Sequence, residues 1–284
     1  KLLGEMTRTI EKDPTDATRD KYANLGFSTP MPAAVVMRGG DGATTWYLVF
    51  GNGPNNIEGT NDQQGKVAVL PLKLDSTTGV LAKGARILNK PLSATDSGVI
   101  PVVDGATSAT ALVDDATSAT KRFVSDMMTV DFDLEAQTDP DFGALYKSDE
   151  VYFGTVDGSG FAGDKWAGGG GVYRLVTRKL DGSGVQQPTT PSDWQIKKLI
   201  DTQAPVTGAL SVGWDEANYW LYFGTGRFYA TDDKKDDTVQ RFFGVKEPLD
   251  TSCEMTWKEI VWSGASLSPI ADAGSRGLVR TDNI

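Results

Sequence analysis

WYLVFGNG at residues 46–53, VYFGTVDG at residues 151–158 and LYFGTG at residues 221–226 are three versions of one pattern, an aromatic and aliphatic run that ends in Phe-Gly. Aromatic and β-branched residues bounded by glycine are typical of a β-strand that ends in a turn. The repetition predicts that the three runs form equivalent strands in three successive units of the fold.

Each unit contains three further strand candidates around the Phe-Gly strand. The candidates before the Phe-Gly strand are AAVVM (33–37), MMTVDF (127–132) and ALSVGW (209–214). The candidates after it begin at Gly65, Gly170 and Gln240, and each ends in Leu-Asp. The last candidates of the three units are ARIL (85–88), WQIKKLI (194–200) and WKEIVW (257–262). Four strands in a repeated unit are typical of a β-propeller blade. The predicted fold is therefore all-β: a partial β-propeller of about three four-stranded antiparallel blades with long inserted loops.

The spacing of the units predicts one domain over residues 1–284 with an insertion. The units are longer than the roughly 40 to 50 residues of compact propeller repeats, so they must carry extra loops. Residues 90–123 are rich in Ala, Ser and Thr, and GATSAT at 105–110 returns as DATSAT at 115–120. Because such residues bury little apolar surface, we expect an inserted low-complexity loop or decorated hairpin here, exposed to solvent.

Charge and hydropathy argue against nucleic acid as a partner and against a membrane span in this chain. The chain has 28 Lys and Arg against 38 Asp and Glu, a formal net charge of −10. Nucleic acid is excluded as a partner because phosphate binding needs a basic stripe, and none is visible. No run approaches the roughly 18 apolar residues of a membrane span, and residues 1–20 lack the apolar region of a signal peptide.

The scarcity of histidine and cysteine limits the chemistry. The sequence has no histidine, which excludes Ser-His-Asp and Cys-His catalysis. Its single cysteine, Cys253, cannot form a disulfide within the chain and is interpreted as a small buried hydrophobe. GGGG at 168–171 lies between strand candidates and does not open a helix, so it is interpreted as a turn and not as a phosphate loop.

An acidic cluster makes calcium the metal to expect. Its members are Asp131, Asp133, Glu135, Asp139, Asp141 and Asp149. Alternate residues of a strand point to one face, so the first three carboxylates can converge, and calcium takes six to eight oxygen ligands. A second cluster, DDKKDD at 232–237, has mixed charge and is interpreted as a solvated loop.

The order of these motifs resembles the C-terminal propeller domain of the PilY1-like proteins. The strings that carry the resemblance are LGFSTP (25–30), WYLVFGNG (46–53), VDFDLE (130–135), DEVYFGT (149–155), LYFGTGRFYATDD (221–233) and QRFFGV (240–245). The paired LYFGTGR and FFGV strings are its most specific part. The resemblance extends over most of the chain, from about Leu25 to Val245.

The resemblance implies a non-enzymatic, secreted protein associated with the tip of the bacterial type IV pilus. Family members modulate pilus extension and retraction, bind calcium in the propeller and mediate attachment. The implied partners are pilins or minor pilins and a host or abiotic surface, and the implied location is the pilus tip or the outer cell surface. The family's calcium loop is a compact Asp-x-Asp-Gly-Asp-like run, whereas this sequence has a longer insert between Asp133 and Asp149.

Two other functions remain open at the level of sequence. Quinone-cofactor dehydrogenases are also propellers with Trp and Gly in each blade, and such an enzyme would need a catalytic carboxylate beside a calcium-bound cofactor. A purely structural scaffold that presents loops to pilins is the third possibility.

Three units predict a propeller that is not self-sufficient. Closed propellers use about four to eight blades, because each sheet buries both faces against neighbours. Residues 1–7 (KLLGEMT) are interpreted as the closing strand of a preceding blade, and residues 263–284 as the start of a further blade. We expect the native polypeptide to be longer, or other chains to complete the ring.

Overall fold

The protein is built from antiparallel β-sheets that follow one another along the chain. The computed structural model describes residues 26–27, 30–38, 44–60, 65–72, 98–101, 107–108, 121–132, 148–179, 189–191, 193–216, 218–247 and 278–281. Within this part of the chain, fifteen strands form four sheets, and a 3₁₀ helix of five residues is the only helix.

The first sheet is a four-stranded meander. Its strands are β1 (Ala33–Arg38), β2 (Thr44–Gly51), β3 (Lys66–Pro71) and β4 (Gly98–Pro101), and neighbours in this order pair antiparallel. Consecutive β2 residues alternate between buried and half-exposed, from Tyr47 to Gly51. This alternation places one face of the sheet in the core.

The second sheet repeats this meander and has one additional strand. Its four meander strands are β6 (Arg122–Val130), β7 (Glu150–Asp157), β10 (Gly171–Val176) and β11 (Gln195–Asp201), and β5 (Thr107–Ser108) pairs with β11 at the outer edge. All residues of β7 except the last, and all of β10, are buried. Burial on both faces makes this sheet the middle layer of the core.

The third sheet has the same order as the first. Its strands are β12 (Ser211–Trp214), β13 (Tyr219–Gly224), β14 (Phe242–Lys246) and β15 (Leu278–Thr281), all antiparallel. The 3₁₀ helix (Thr231–Lys235) lies between β13 and β14. A small hairpin, β8 (Phe161–Ala162) with β9 (Lys165–Trp166), lies at the corresponding place between β7 and β10.

The predicted equivalence of the three Phe-Gly strands is confirmed. Each of them is the second strand of its meander, and each Phe-Gly pair has the same position relative to the third strand. The registers are Phe50 with Ala68 and Gly51 with Val67, Phe153 with Tyr173 and Gly154 with Val172, and Phe223 with Phe243 and Gly224 with Phe242. The fold class, three successive antiparallel sheets of the propeller-blade type, is therefore as predicted.

The fourth strand is as predicted in the second sheet, where WQIKKLI forms β11, and differs from the prediction in the first and third sheets. ARIL and WKEIVW lie outside the described residues, and the fourth strands of these two sheets are β4 and β15. Residues 278–281 thus complete the third sheet, so the interpretation of residues 263–284 as the start of a further blade is wrong for this segment. The physical reason is that an outer strand is held mainly by backbone pairing on one side and needs no strong apolar pattern.

Residues 90–123, predicted as an inserted loop, contribute to both of the first two sheets. β4 and β5 lie inside this interval, and β6 begins at Arg122. β4 includes Val99 and Ile100, two β-branched residues that favour strands. The Leu-Asp segments, residues 1–7 and Cys253 lie outside the described residues.

Two apolar clusters hold the three sheets together. The first, between the first and second sheets, contains Ala33, Val35, Met37, Tyr47, Val49, Val67, Val69, Val124, Met127, Val151, Phe153, Tyr173, Leu175, Trp194 and Ile196. The second, between the second and third sheets, contains Val130, Phe132, Tyr152, Val172, Leu199, Ile200, Val206, Leu210, Leu221, Phe223, Phe243 and Val245. Burying one large apolar side chain contributes about 1.5–3 kcal/mol, so these clusters dominate the packing energy.

Candidate functional site

Three loops, each joining the second and third strands of its meander, follow the Phe-Gly strands and meet at one end of the sheets. They are the β2–β3 loop (described at 52–60 and 65), the β7–β10 loop (158–170) and the β13–β14 loop (225–241). We call residues 58–60, 161–166 and 227–237 the loop junction. Loops carried by a rigid scaffold are where binding residues concentrate, so this junction is the candidate site.

Arg227 connects all three loops of the junction. Its Nη1 donates to Gly59 O and its Nη2 to Glu58 O, both at 2.8 Å, and its Nε and Nη2 donate to the Asp233 carboxylate. The guanidinium lies 3.9 Å from the centre of the Trp166 ring. The side chains of Arg227 and Asp233 are 3% and 1% exposed, so solvent screens this pair little.

Asp233 organises the third loop. Its Oδ2 accepts the backbone N–H groups of Tyr229 and Ala230, each at 2.7 Å. Burial alone raises the pKa of this carboxyl, but the hydrogen bonds from Arg227 and from the two backbone N–H groups outweigh burial and hold the pKa below its ordinary value. Asp233 is therefore an ionised structural acceptor at neutral pH.

The β8–β9 hairpin is held against the third loop by Trp166. The Trp166 backbone N–H donates to Asp236 Oδ2 at 2.9 Å, and the Trp166 indole Nε1 donates to Asp157 O at 3.0 Å. Phe161 packs edge-on against the Trp166 ring, with 5.3 Å between ring centres. The Lys165–Asp237 ion pair beside them is 63% and 81% exposed, and exposed pairs of this kind contribute about 0–1 kcal/mol.

Tyr229 fills the space between the loops. Its ring packs edge-on against Phe123, with 5.4 Å between ring centres, and its Cβ occupies the space that a side chain at Gly59 would need. Gly59 also has a φ of +67°, so glycine is favoured there on both grounds. Burial, together with the Asp126 carboxylate, raises the pKa of Tyr229 to about 12.

Apolar side chains project from the junction and its loops into solvent. Ile57 is 81% exposed and directly precedes Glu58, whose backbone oxygen accepts a hydrogen bond from Arg227. Phe228 is 70% exposed and directly follows Arg227. Large apolar side chains of this exposure lower solubility unless they meet a partner. The hydrogen bonds of Arg227 to the Glu58 and Gly59 carbonyls fix the backbone beside them, which limits where the two side chains can lie.

A second polar cluster lies buried between the second and third sheets. Arg174 donates to Glu247 at 2.7 Å, Arg178 Nη2 donates to Glu150 at 3.0 Å, and the Tyr152 hydroxyl donates to the other Glu150 oxygen at 2.7 Å. Burial, followed by the carboxylates of Glu150 and Glu247, raises the pKa of Tyr152 well above its ordinary value. The two arginines balance the two glutamates, so the cluster is a neutral structural network.

The structure describes two of the six predicted calcium ligands. Asp131 is exposed directly after β6, and Asp149 is fully buried directly before β7. Their backbone segments are adjacent: Asp149 N–H donates to Val130 O at 3.0 Å, and Asp149 Oδ2 accepts the Phe132 N–H at 2.8 Å. Asp133, Glu135, Asp139 and Asp141 lie outside the described residues. Within the described part, no three Asp, Glu, His or Cys residues form a potential metal site.

The loop junction was not found from the sequence. DDKKDD at 232–237 was interpreted as a solvated loop, which is wrong for Asp233, a buried residue, and for Asp236, which accepts the Trp166 N–H. Arg227 and Asp233, an arginine and a carboxylate six residues apart in one loop, are the sequence feature that could have indicated an ion pair here. The partners in the other two loops, Gly59 and Trp166, have no sequence pattern that connects them with Arg227.

Comparisons with known proteins find similarity among solved structures and none in sequence. No known family matches the sequence, and no curated protein matches it. Among solved structures, the chain is similar to the crystal structure of the Pseudomonas aeruginosa PilY1 C-terminal domain, with 18% sequence identity and a TM-score of 0.46. The alignment covers 84% of this chain and 41% of that domain, so the chain spans about two fifths of its length. Among the described residues, no helix is long and apolar enough to span a membrane.

Proposed function

We propose that this chain is part of a non-enzymatic type IV pilus-associated protein, located at the pilus tip or outer cell surface. It would act in pilus assembly and retraction and in surface adhesion. The observation that carries the proposal is the position of the LYFGTGRFYATDD string (221–233) of the sequence resemblance. Its LYFGTGR part, which belongs to the most specific pair of strings, supplies most of β13 and Arg227, and its FYATDD part supplies Asp233. The resemblance therefore includes the side chains that build the loop junction as well as a core strand.

The loop junction is the surface through which we propose that a pilin binds. Arg227 and Asp233 fix the three loops, and Ile57 and Phe228 project beside them. Apolar anchors that are held rigid lose little conformational entropy on binding, and such anchors supply most of the affinity in protein interfaces. A pilin with an exposed apolar groove fits this chemistry.

Calcium is the cofactor that we propose for the acidic cluster. Asp131 and Asp149 lie on adjacent segments at one end of the second sheet, on either side of residues 133–147. The hydrogen bond from the Phe132 N–H to Asp149 Oδ2 holds these two segments side by side. Oxygen ligands from a loop between two such carboxylates suit calcium.

Binding to pili tests the proposed function. Type IV pili purified from the bacterium that encodes this chain are immobilised, and binding of the wild-type chain is compared with that of Ile57→Asp and Phe228→Asp. We expect each substitution to weaken binding at least tenfold. Trp214→Asp is the matched control, because Trp214 is 65% exposed and ends β12 beside Tyr219, at the end of β13 that is far from the junction.

Two outcomes would count against this function. If the wild-type chain does not bind pili, or if Ile57→Asp and Phe228→Asp bind as well as Trp214→Asp, the surface formed by the junction and its neighbouring residues is not a pilin-binding surface. Reduction of an acceptor dye after addition of a quinone cofactor would support the dehydrogenase alternative.

A further inference from the structure

A half-buried carboxylate lies beside the loop junction and takes no part in its hydrogen bonds. Asp126 belongs to β6, and its Oδ1 accepts the backbone N–H of Met31 at 2.7 Å. Burial, followed by the charge of Asp126, raises the pKa of Tyr229, so this carboxylate lies near the Tyr229 hydroxyl. Among the described residues, no lysine or arginine forms an ion pair with Asp126.

A β-bulge in β6 gives Asp126 this position. The register between β6 and β7 shifts between Val124 and Met127, so that Ser125 and Asp126 together lie opposite Gly154. The Ser125 side chain is buried, with its hydroxyl 3.0 Å from Gly154 O, whereas Asp126 is half-buried. Bulges commonly re-aim a side chain next to a functional site.

Exposed apolar side chains lie near this carboxylate. Met31, whose backbone N–H donates to Asp126, is 61% exposed. Ile57 is 81% exposed and lies two residues before Gly59, which packs against Tyr229. We call Met31, Ile57, Asp126 and Tyr229 the Asp126 surface; it adjoins the loop junction, to which Tyr229 also belongs. Exposed apolar groups clustered in this way are typical of a protein-binding surface.

The carboxylate makes this surface selective. A partner that covers Met31 and Ile57 also removes water from Asp126. A carboxylate that loses water without gaining a counter-charge disfavours the complex, whereas a cation placed against it in a site with little water is attracted more strongly than in bulk water. An apolar partner with a cation at this point therefore binds, and one without a cation is rejected.

Lysine is the cation that fits Asp126. Its Oδ1 already accepts the Met31 N–H, which leaves Oδ2 for the partner. The guanidinium of arginine binds a carboxylate best through both oxygens at once, whereas the ammonium of lysine is a point charge that needs only one. The formal net charge of the chain, −10, also favours the approach of a basic segment.

We propose that the Asp126 surface binds a pilin segment in which a lysine lies among apolar side chains. The lysine ammonium pairs with Asp126, and the apolar side chains pack on Met31 and Ile57. This pairing rests on the proposed function, because it specifies the chemistry of the pilin that binds there.

Binding of Asp126→Asn to immobilised type IV pili tests the carboxylate. Asparagine keeps an oxygen for the Met31 N–H and removes the charge, so we expect an unchanged Tm and binding at least tenfold weaker than that of the wild type. Glu216→Gln is the matched control, because Glu216 is exposed between β12 and β13, at the end of β13 that is far from the junction. If Asp126→Asn binds as well as Glu216→Gln, the pairing is overturned, whereas pilin binding through Ile57 and Phe228 stands.

Acetylation of the lysines of the pili identifies the cation, because it removes their charge. We expect the wild-type chain to bind acetylated pili at least tenfold more weakly than untreated pili, and Asp126→Asn to lose less than about twofold, since it has already lost the pair. Equal losses for the two proteins would overturn the pairing. Unchanged binding of the wild type to acetylated pili would overturn lysine as the cation. If the wild type does not bind untreated pili, the proposed function fails and the pairing fails with it.

Discussion

At the scale of single residues, Arg227 is the side chain on which the loop junction depends. It is nearly fully buried, and its guanidinium contacts two backbone carbonyls, one carboxylate and one indole ring. A planar fork of donors suits this combination, whereas the ammonium of lysine would satisfy only part of it. Loss of the guanidinium also leaves the buried Asp233 carboxylate without its counter-charge.

We therefore expect Arg227→Ala to lower the free energy of unfolding by about 3–5 kcal/mol, the usual cost of breaking a buried ion pair. Arg227→Lys should lose less, because it keeps the charge but not the fork. Urea denaturation measures both. Lys165→Ala is the control, since the exposed Lys165–Asp237 pair contributes about 1 kcal/mol or less. Equal losses in Arg227→Ala and Lys165→Ala would contradict this account.

Asp233 makes the junction sensitive to acid. Its folded-state pKa lies below the ordinary value of about 3.9. A lowered pKa means that the stabilisation is complete above the unfolded pKa and is lost as the pH falls through the folded one. Asp233→Asn should therefore have a lower Tm than the wild type at pH 7, and the difference should narrow below about pH 4.

Thermal unfolding from pH 7 to pH 2.5 measures this narrowing. Asp237→Asn is the control, because Asp237 is 81% exposed and should match the wild type throughout. A difference between wild type and Asp233→Asn that stays constant with pH would show that ionisation of Asp233 does not stabilise the fold.

At the scale of elements, the sequence predicted the inner strands of all three sheets and the fourth strand of the second sheet, but it did not predict the fourth strands β4 and β15. β2, β7 and β13 pair on both sides and bury aromatic and aliphatic residues, so their pattern repeats visibly. β4 and β15 pair with one strand of their own sheet, and their positions depend on the backbone of β3 and β14. Edge strands have weak sequence patterns because only part of their surface is buried. The loop junction was missed for a related reason, since Arg227 and Gly59 meet across 168 residues of chain.

The Phe-Gly glycine is the part of the repeat that sets the distance between sheets. Gly154 contacts Val206, and the Ser125 hydroxyl lies within hydrogen-bond distance of both Gly154 O and Val206 O. We expect Gly154→Ala to lower the free energy of unfolding by about 1–3 kcal/mol, because overpacking at a tight contact forces a backbone shift. Chemical denaturation measures the loss. Gly208→Ala, at an open position, should change stability little; equal losses would refute the close-packing role of Gly154.

The segment between β6 and β7 is where the calcium proposal is tested. If Asp131 and Asp133 both bind the ion, Asp131→Ala combined with Asp133→Ala should abolish calcium-dependent heat in calorimetric titration at millimolar calcium. The Tm increase on adding calcium should disappear with it, since a ligand that binds only the folded state raises stability. Asp237→Ala, an exposed aspartate of the loop junction, is the control. No calcium response in the wild type would end the proposal.

At the scale of the whole molecule, the three sheets act as a series in which each one covers the next. Two apolar clusters join them, and the loop junction ties the β2–β3, β7–β10 and β13–β14 loops at one end. At the other end, the buried Arg174–Glu247 ion pair joins the second and third sheets, and the buried Glu150–Arg178 pair connects β7 to the segment that follows β10. The regular geometry of the series follows from fixed contacts at both ends of the sheets.

Arg174 and Glu247 provide the sharpest test of this coupling. Arg174 lies on β10 and Glu247 directly follows β14, so the 2.7 Å ion pair joins two sheets, and neither side chain is exposed to solvent. Arg174→Met or Glu247→Leu alone should each lower the free energy of unfolding by about 3–5 kcal/mol, because the remaining charge is buried without its partner. The double variant should recover much of this loss, since an apolar pair needs no counter-charge. A double-mutant cycle measured by urea denaturation gives the coupling energy. Additive losses would mean that the pair does not hold the sheets together, and the second and third sheets would then depend on their apolar cluster and on the loop junction.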